Sequence, residues 1–140
     1  MTVAGMVERM AGEAEKTAPT GKHTGRVMHW IFMTPILLFL LWYGISDLRR
    51  TPDVVATLAH LGYPWYFVYF IGTGKLLELA AFIYPKAPRL REWAYAGFTI
   101  ELISAFGSHA FVGDPWGDRI MPLIFLAILA VAYWFDPYRR

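Results

Sequence analysis

The run WYFVYFIGTGKLLELAAFIY, Trp65 to Tyr84, is followed after the loop PKAPRLRE by WAYAGFTIELISAFGSHAFV, Trp93 to Val112. Each apolar run is 20 residues long, the length of a helix that crosses the hydrocarbon core of a bilayer. Both carry charge at their middles: Lys75 and Glu78 in the first, Glu101 in the second. A charge at that depth costs about 2.5–3.5 kcal/mol on insertion scales. Such groups require partners, and they mark the place where the chain is expected to act.

Composition supports the membrane reading. Hydrophobic residues make up 56% of the 140-residue chain and charged residues only 17%, against roughly 25% charged in a soluble domain. The excess falls in blocks, giving four spans at about 27–46, 65–84, 93–112 and 120–135. All six tryptophans lie near span ends or in a loop, at the level where amphipathic rings prefer the headgroups. The fold expected is an all-α integral membrane four-helix bundle with a short interfacial helix between the first two spans. That helix is signalled by Thr51-Pro52-Asp53, with a capping hydroxyl, proline at the first position and an acid on the dipole. Pro35 is expected to kink the first span.

Ahead of the spans, residues 1–26 form an N-terminal arm. Val3, Met6, Val7 and Met10 recur at helical spacing, as in a helix lying on a membrane surface; the alternative is a frayed tail. Thr17 to Gly25 reads as a connector. Nine basic residues, in the arm, the middle loop (Lys86, Arg89 and Arg91) and the C-terminus, lie on one side of the spans. Arg49, Arg50 and Arg119 make three on the other. The positive-inside rule then puts both termini and the middle loop in the cytoplasm.

Several functions are excluded or left without support. Zero cysteines remove disulfides and thiolate metal sites. A net charge of +2 gives no case for nucleic acid. Asp114 and Asp118 in the last loop are too few oxygen ligands for a divalent metal, so no metal is expected. Gly72-Thr73-Gly74-Lys75 lacks the spacing of a phosphate loop.

The candidate site is the charged constellation. The second and third spans are joined by a short loop and are expected to be antiparallel neighbours. Counting from that loop, Lys75 lies nine residues in from Tyr84 and Glu101 eight in from Trp93, so the two are nearly level at about 1.5 Å per residue. Glu78 lies one turn nearer the loop. Lys75 is expected against Glu101, Glu78 or both, with Glu78, Glu101 and Lys75 as candidate catalytic residues. Three ionised groups would sum to −1, so one carboxyl holding a proton, or a bound donor, is the cheaper state. Ser104, Ser108 and His109 extend a polar stripe from Glu101 toward the outer end. Together with Gly72 they are the candidate ligand-binding residues. The structural alternative is that Ser104-x-x-x-Ser108 is packing glue and that the Lys–Glu pair only locks helix register.

Gly74-Lys75-Leu76-Leu77-Glu78, the loop run Pro85 to Gly97, Ser108-His109, Val112-Gly113-Asp114-Pro115 and Leu61-Gly62-Tyr63-Pro64 resemble the DoxX-like family over about Met28 to the C-terminus. Where many members carry a lysine near the end of the first span, this chain has Gly44-Ile45-Ser46-Asp47. The resemblance implies a multi-pass four-helix protein of the bacterial inner membrane, associated with membrane redox complexes. The function expected is that of an accessory subunit binding a quinone or other isoprenoid-like lipid. A membrane oxidoreductase or a further copy of the chain would be its partner. With no haem ligand pair or cysteine, the chain is expected to carry no redox centre of its own. The alternative is a small membrane enzyme performing acid/base isomerisation or cyclisation on a lipophilic substrate with Glu78, Glu101 and Lys75.

Overall fold

A computed structural model of the chain describes residues 2–17 and 21–139. The described residues form six helices: α1 (Val3–Thr17), α2 (Gly21–Leu48), α3 (Pro52–His60), α4 (Phe67–Ile83), α5 (Pro88–Val112) and α6 (Trp116–Trp134). α2 packs on α4 and α6, and α5 packs on α4 and α6, so the four long helices meet in a closed circuit. Two of them, α2 and α6, are long and apolar enough to cross a membrane. α4, at 17 residues, is shorter than these two, and α5 is more polar.

The centre of the circuit is filled by Met33, Ile36, Leu40, Phe82, Phe98, Leu102 and Leu129. Phe39 joins them, its ring 4.6 Å from Phe125 and 6.0 Å from Phe98. The outside is also apolar. Phe111 is 94% exposed, Trp93 77% and Trp42 72%, an extent of bare hydrocarbon that a water-soluble monomer rarely tolerates. Trp116 and Trp134 stand at opposite ends of the 19-residue α6, roughly 27 Å apart by helical rise, close to the thickness of a hydrocarbon core.

α1 is a helix whose Val3, Met6, Val7 and Met10 are all exposed. Part of the connector reading is corrected: residues 21–25 are the first turns of α2, because nothing there but Gly21 and Gly25 opposes a helix. Residues 18–20 of that connector lie outside the described residues, as does Arg140.

α2 ends in a tight turn in which Arg50 N–H bonds to the Asp47 carbonyl at 2.9 Å and Thr51 N–H to the Ser46 carbonyl at 3.1 Å. Arg50 occupies the left-handed position of that turn, φ 52°. Glycine is the usual residue there, and a side chain costs about 1–2 kcal/mol. α3 starts on Pro52, as the sequence predicts, but the Thr51 hydroxyl makes no capping bond. Its carbonyl accepts Val55 N–H instead, at 3.1 Å. Gly113, φ 79°, closes α5 in the same left-handed conformation and returns Asp114 N–H to the His109 carbonyl at 3.0 Å.

Candidate functional site

Two glycines make the site possible. A methyl group on Gly72 would lie 2.8 Å from Asp47 Cβ and 3.1 Å from the Gly44 carbonyl oxygen. One on Gly44 would lie 2.9 Å from Leu76 Cδ2 and 3.3 Å from Lys75 Cβ. α2 and α4 therefore approach backbone to backbone here, as small residues allow in apolar surroundings. Each glycine has a charged residue three positions on, Asp47 on α2 and Lys75 on α4. The close crossing brings these two together.

Lys75 Nζ lies 2.9 Å from Asp47 Oδ2 and 2.9 Å from Glu101 Oε1. The depth count expects the Glu101 contact. Asp47 is the residue that sequence reasoning missed, since the first span is drawn to end at Ser46. The repeated spacing Gly44-x-x-Asp47 and Gly72-x-x-Lys75 is the signal that could have found it. Lys75 and Asp47 are buried, whereas the Glu101 side chain is 28% exposed. The triad is thus open on its Glu101 side.

Glu78 takes a different place. Its Oε1 sits where a side chain on Gly97 would be, 2.8 Å from the position of such a Cβ. Its Oε2 is buried and has no hydrogen-bond partner among the described residues. Glu78 lies within electrostatic reach of Glu101 and Lys75. One ammonium thus serves three carboxyl groups, so the expected sum of −1 becomes −2 if all four ionise.

An ammonium has three N–H donors. Lys75 donates one to Asp47 and sits in ion-pair range of Glu101, so among the described residues at least one N–H has no acceptor. A neutral carboxyl at Glu78 would supply an O–H beside it. The arrangement can therefore donate to a pair of carbonyl oxygens, or hold and move a proton between carboxyl groups.

The outer polar stripe is engaged by α3 and the turn that follows it. Ser108 Oγ is 2.7 Å from the Tyr63 hydroxyl. His109 Nδ1 and His60 Nε2 each lie 2.6 Å from an oxygen of Asp114. Ser104 is exposed on α5, and Gly72 is the crossing point of α2 and α4. These contacts tie α3 across to α5. The hydrogen bonds from His109 and His60 hold the Asp114 carboxyl below the usual carboxylate range. A lowered value means the tie is fully present above about pH 4 and is lost only as pH falls through the depressed value. The accessibility of a single cysteine on α3, read as its labelling relative to the unfolded chain at the same pH, should accordingly be constant from neutral pH down to the ordinary carboxylate range. Asp114→Asn should raise that labelling at neutral pH.

A second buried cluster lies at the opposite end. Arg91, counted from the sequence among loop charges, is 1% exposed. It reaches inward because it belongs to the first turn of α5, not to the loop. Its Nη2 and Nε donate to Asp136 Oδ2 at 2.8 and 3.3 Å, and its Nη1 donates to the Phe82 carbonyl. Tyr95 O–H and Tyr138 N–H also donate to Asp136, both at 2.8 Å. His29 Nδ1 donates to the Ala132 carbonyl at 2.8 Å, leaving Nε2 as acceptor toward Arg91 Nη2 at 3.4 Å. α2, α4, α5 and the end of α6 all meet in this network. Every polar group around Asp136 is satisfied, which is the mark of a clasp and not of a site awaiting a ligand.

Two helices of membrane-crossing length and a bare apolar exterior fit a small membrane protein. More narrowly, the chain belongs to the DoxX-like family, whose family model matches residues 31–132. No curated protein and no solved structure matches it. The matched region contains Asp47, Lys75, Glu78 and Glu101, and also Arg91.

Proposed function

We propose that α2, α4, α5 and α6 cross the bacterial inner membrane as a four-helix bundle, with both termini cytoplasmic and α3 on the outer surface. The Lys75 cluster in that bundle binds the carbonyl-bearing ring of a quinone or other isoprenoid-like lipid. The chain serves as an accessory subunit of a membrane redox system. One observation carries the ligand: Lys75 is fixed between Asp47 and Glu101 with a donor to spare, on a side left open at Glu101. A ring with two carbonyls accepts hydrogen bonds and brings no charge to a cluster already rich in carboxyl groups. Its apolar tail suits the exposed hydrocarbon surface around α4 and α5.

Protein purified in mild detergent is expected to release such a ring lipid on extraction, identified by mass spectrometry at near one per chain. Glu101→Gln, which removes a partner from the open side, should lower the retained amount without unfolding the chain. Extracts holding only phospholipid would refute the reading. The unpartnered Glu78 oxygen favours a second one, acid/base chemistry on the bound lipid. Recovery of added ring lipid as an isomer, by the parent but not by Glu78→Gln, would establish that reading in its place.

A further inference from the structure

Arg49 and Arg50 stand at the end of α2 on the side that the count of basic residues leaves poor in positive charge. Among the described residues neither is ion-paired. Asp53 is the only acid between Arg49 and His60, so this segment has a surplus of positive charge. Arg50 also occupies the backbone position that glycine fills most easily, with φ 52°. A residue kept in a strained conformation points to a use for its side chain. The Arg50 guanidinium lies 5.2 Å from the centre of the Trp65 ring, and the exposed tryptophan holds it by a cation–π contact. Among the described residues its planar fork of donors has no acceptor.

Beside the two arginines is a shallow groove, open along most of its face, lined by Arg49, Arg50, Pro52, Val55, Ala56 and Ala59. One end is cationic and the wall along α3 is apolar and small-sided. From these features we infer that the groove binds the phosphate of an anionic phospholipid, with the guanidinium groups on the phosphate oxygens and the first methylenes of the lipid along Val55, Ala56 and Ala59. Guanidinium forks match phosphate geometry and hold their charge at any working pH. The chemistry at the cationic end would also accept free phosphate. The apolar wall and the position at the end of a membrane-length helix commit the site to the lipid. The inference rests on the membrane placement proposed above and is independent of the ring ligand at Lys75.

The test uses the full chain in mild detergent, titrated with phosphatidylglycerol or phosphatidylcholine and read by native mass spectrometry. The parent should retain phosphatidylglycerol in preference. Replacing one arginine should weaken that preference about fivefold, as expected for one basic group at an anionic membrane surface. Arg50→Gly is the decisive variant. It relieves the backbone and should raise Tm, yet it should lower phosphatidylglycerol retention about fivefold. Arg49→Gln should lower retention with Tm unchanged. Equal retention of the two lipids by the parent, or full retention by Arg50→Gly, would overturn the proposal. So would displacement of the lipid by inorganic phosphate at matched ionic strength, which would mark a free-phosphate site. Ring lipid measured in the same preparations should be unchanged in both arginine variants, so failure here and failure at Lys75 are separable.

Discussion

Arg91→Met should destabilise the folded chain by about 3–5 kcal/mol, toward the lower end of the range that follows removal of one partner from a buried ion pair. The loss arises from Asp136, whose side chain is fully buried and would be left without its counter-ion. Tyr95 O–H and Tyr138 N–H would still donate to it, which is why the effect falls short of the upper end. The Phe82 carbonyl and His29 Nε2 would lose a donor in the same step. Arg91→Lys should recover only part of the loss, because one ammonium cannot reach Asp136, Phe82 and His29 with the geometry of a guanidinium fork. Arg91→Met with Asp136→Asn should be less harmful than Arg91→Met alone, since no charge is then stranded. Thermal or denaturant unfolding in detergent would measure all three. A single Arg91→Met variant as stable as the parent would show that the clasp does not hold the helices together.

In the membrane placement proposed above, that clasp has a role a soluble protein would not need. Between helices immersed in lipid there is no hydrophobic gain from association, because the tails outside are as apolar as the core inside. Packing and polar contacts must supply the cohesion. The chain places one buried ion network, Arg91–Asp136, by the α4–α5 loop, and the other at the middle of α4, where Lys75 meets Glu101 of α5 and Asp47 in the last turn of α2. The apolar core of Met33, Leu40, Phe82 and Phe98 fills the space between.

Helix positions were legible in the sequence wherever a single residue type had a single physical use. Apolar blocks gave the long helices, and Pro52 gave the start of α3. Depth counting placed Lys75 level with Glu101, because rise per residue is fixed in any helix. Rotation about the axis is not fixed by counting, and here the reading fell short. Asp47 lies in the last turn of α2, where a carboxylate reads as the polar end of a span; only the close crossing at Gly44 and Gly72 turns it toward Lys75. Arg91 and Asp136 failed for the same reason, since a basic residue near a loop and an acid after an apolar run both read as solvated. Glu78 was found as a charge but not as an unpartnered one. Its isolation depends on the absence of a side chain at Gly97, on another helix.

Lys75→Met alone should cost about 2.5–3.5 kcal/mol, the price of one unpaired charge at depth in a bilayer. Asp47 accounts for it, with its side chain only 4% exposed; Glu101, at 28%, is less buried and adds less. Pairing Lys75→Met with Glu101→Gln does not repair this, because Asp47 remains charged and alone. The triple variant Lys75→Met, Asp47→Asn, Glu101→Gln removes every charge of the triad. It should regain most of the parent's stability, since replacing all members of a buried ionic group is often neutral. It should nevertheless retain no ring lipid, because the spare donor of Lys75 is gone. Stability and extracted lipid measured on the same preparations separate the two roles. If the triple variant is stable and still carries the lipid, the triad is a register lock between α2, α4 and α5, and the ligand lies elsewhere. If it is stable and empty, the geometry around Lys75 is the binding site, and the cost of burying four ionisable groups is explained by what they hold.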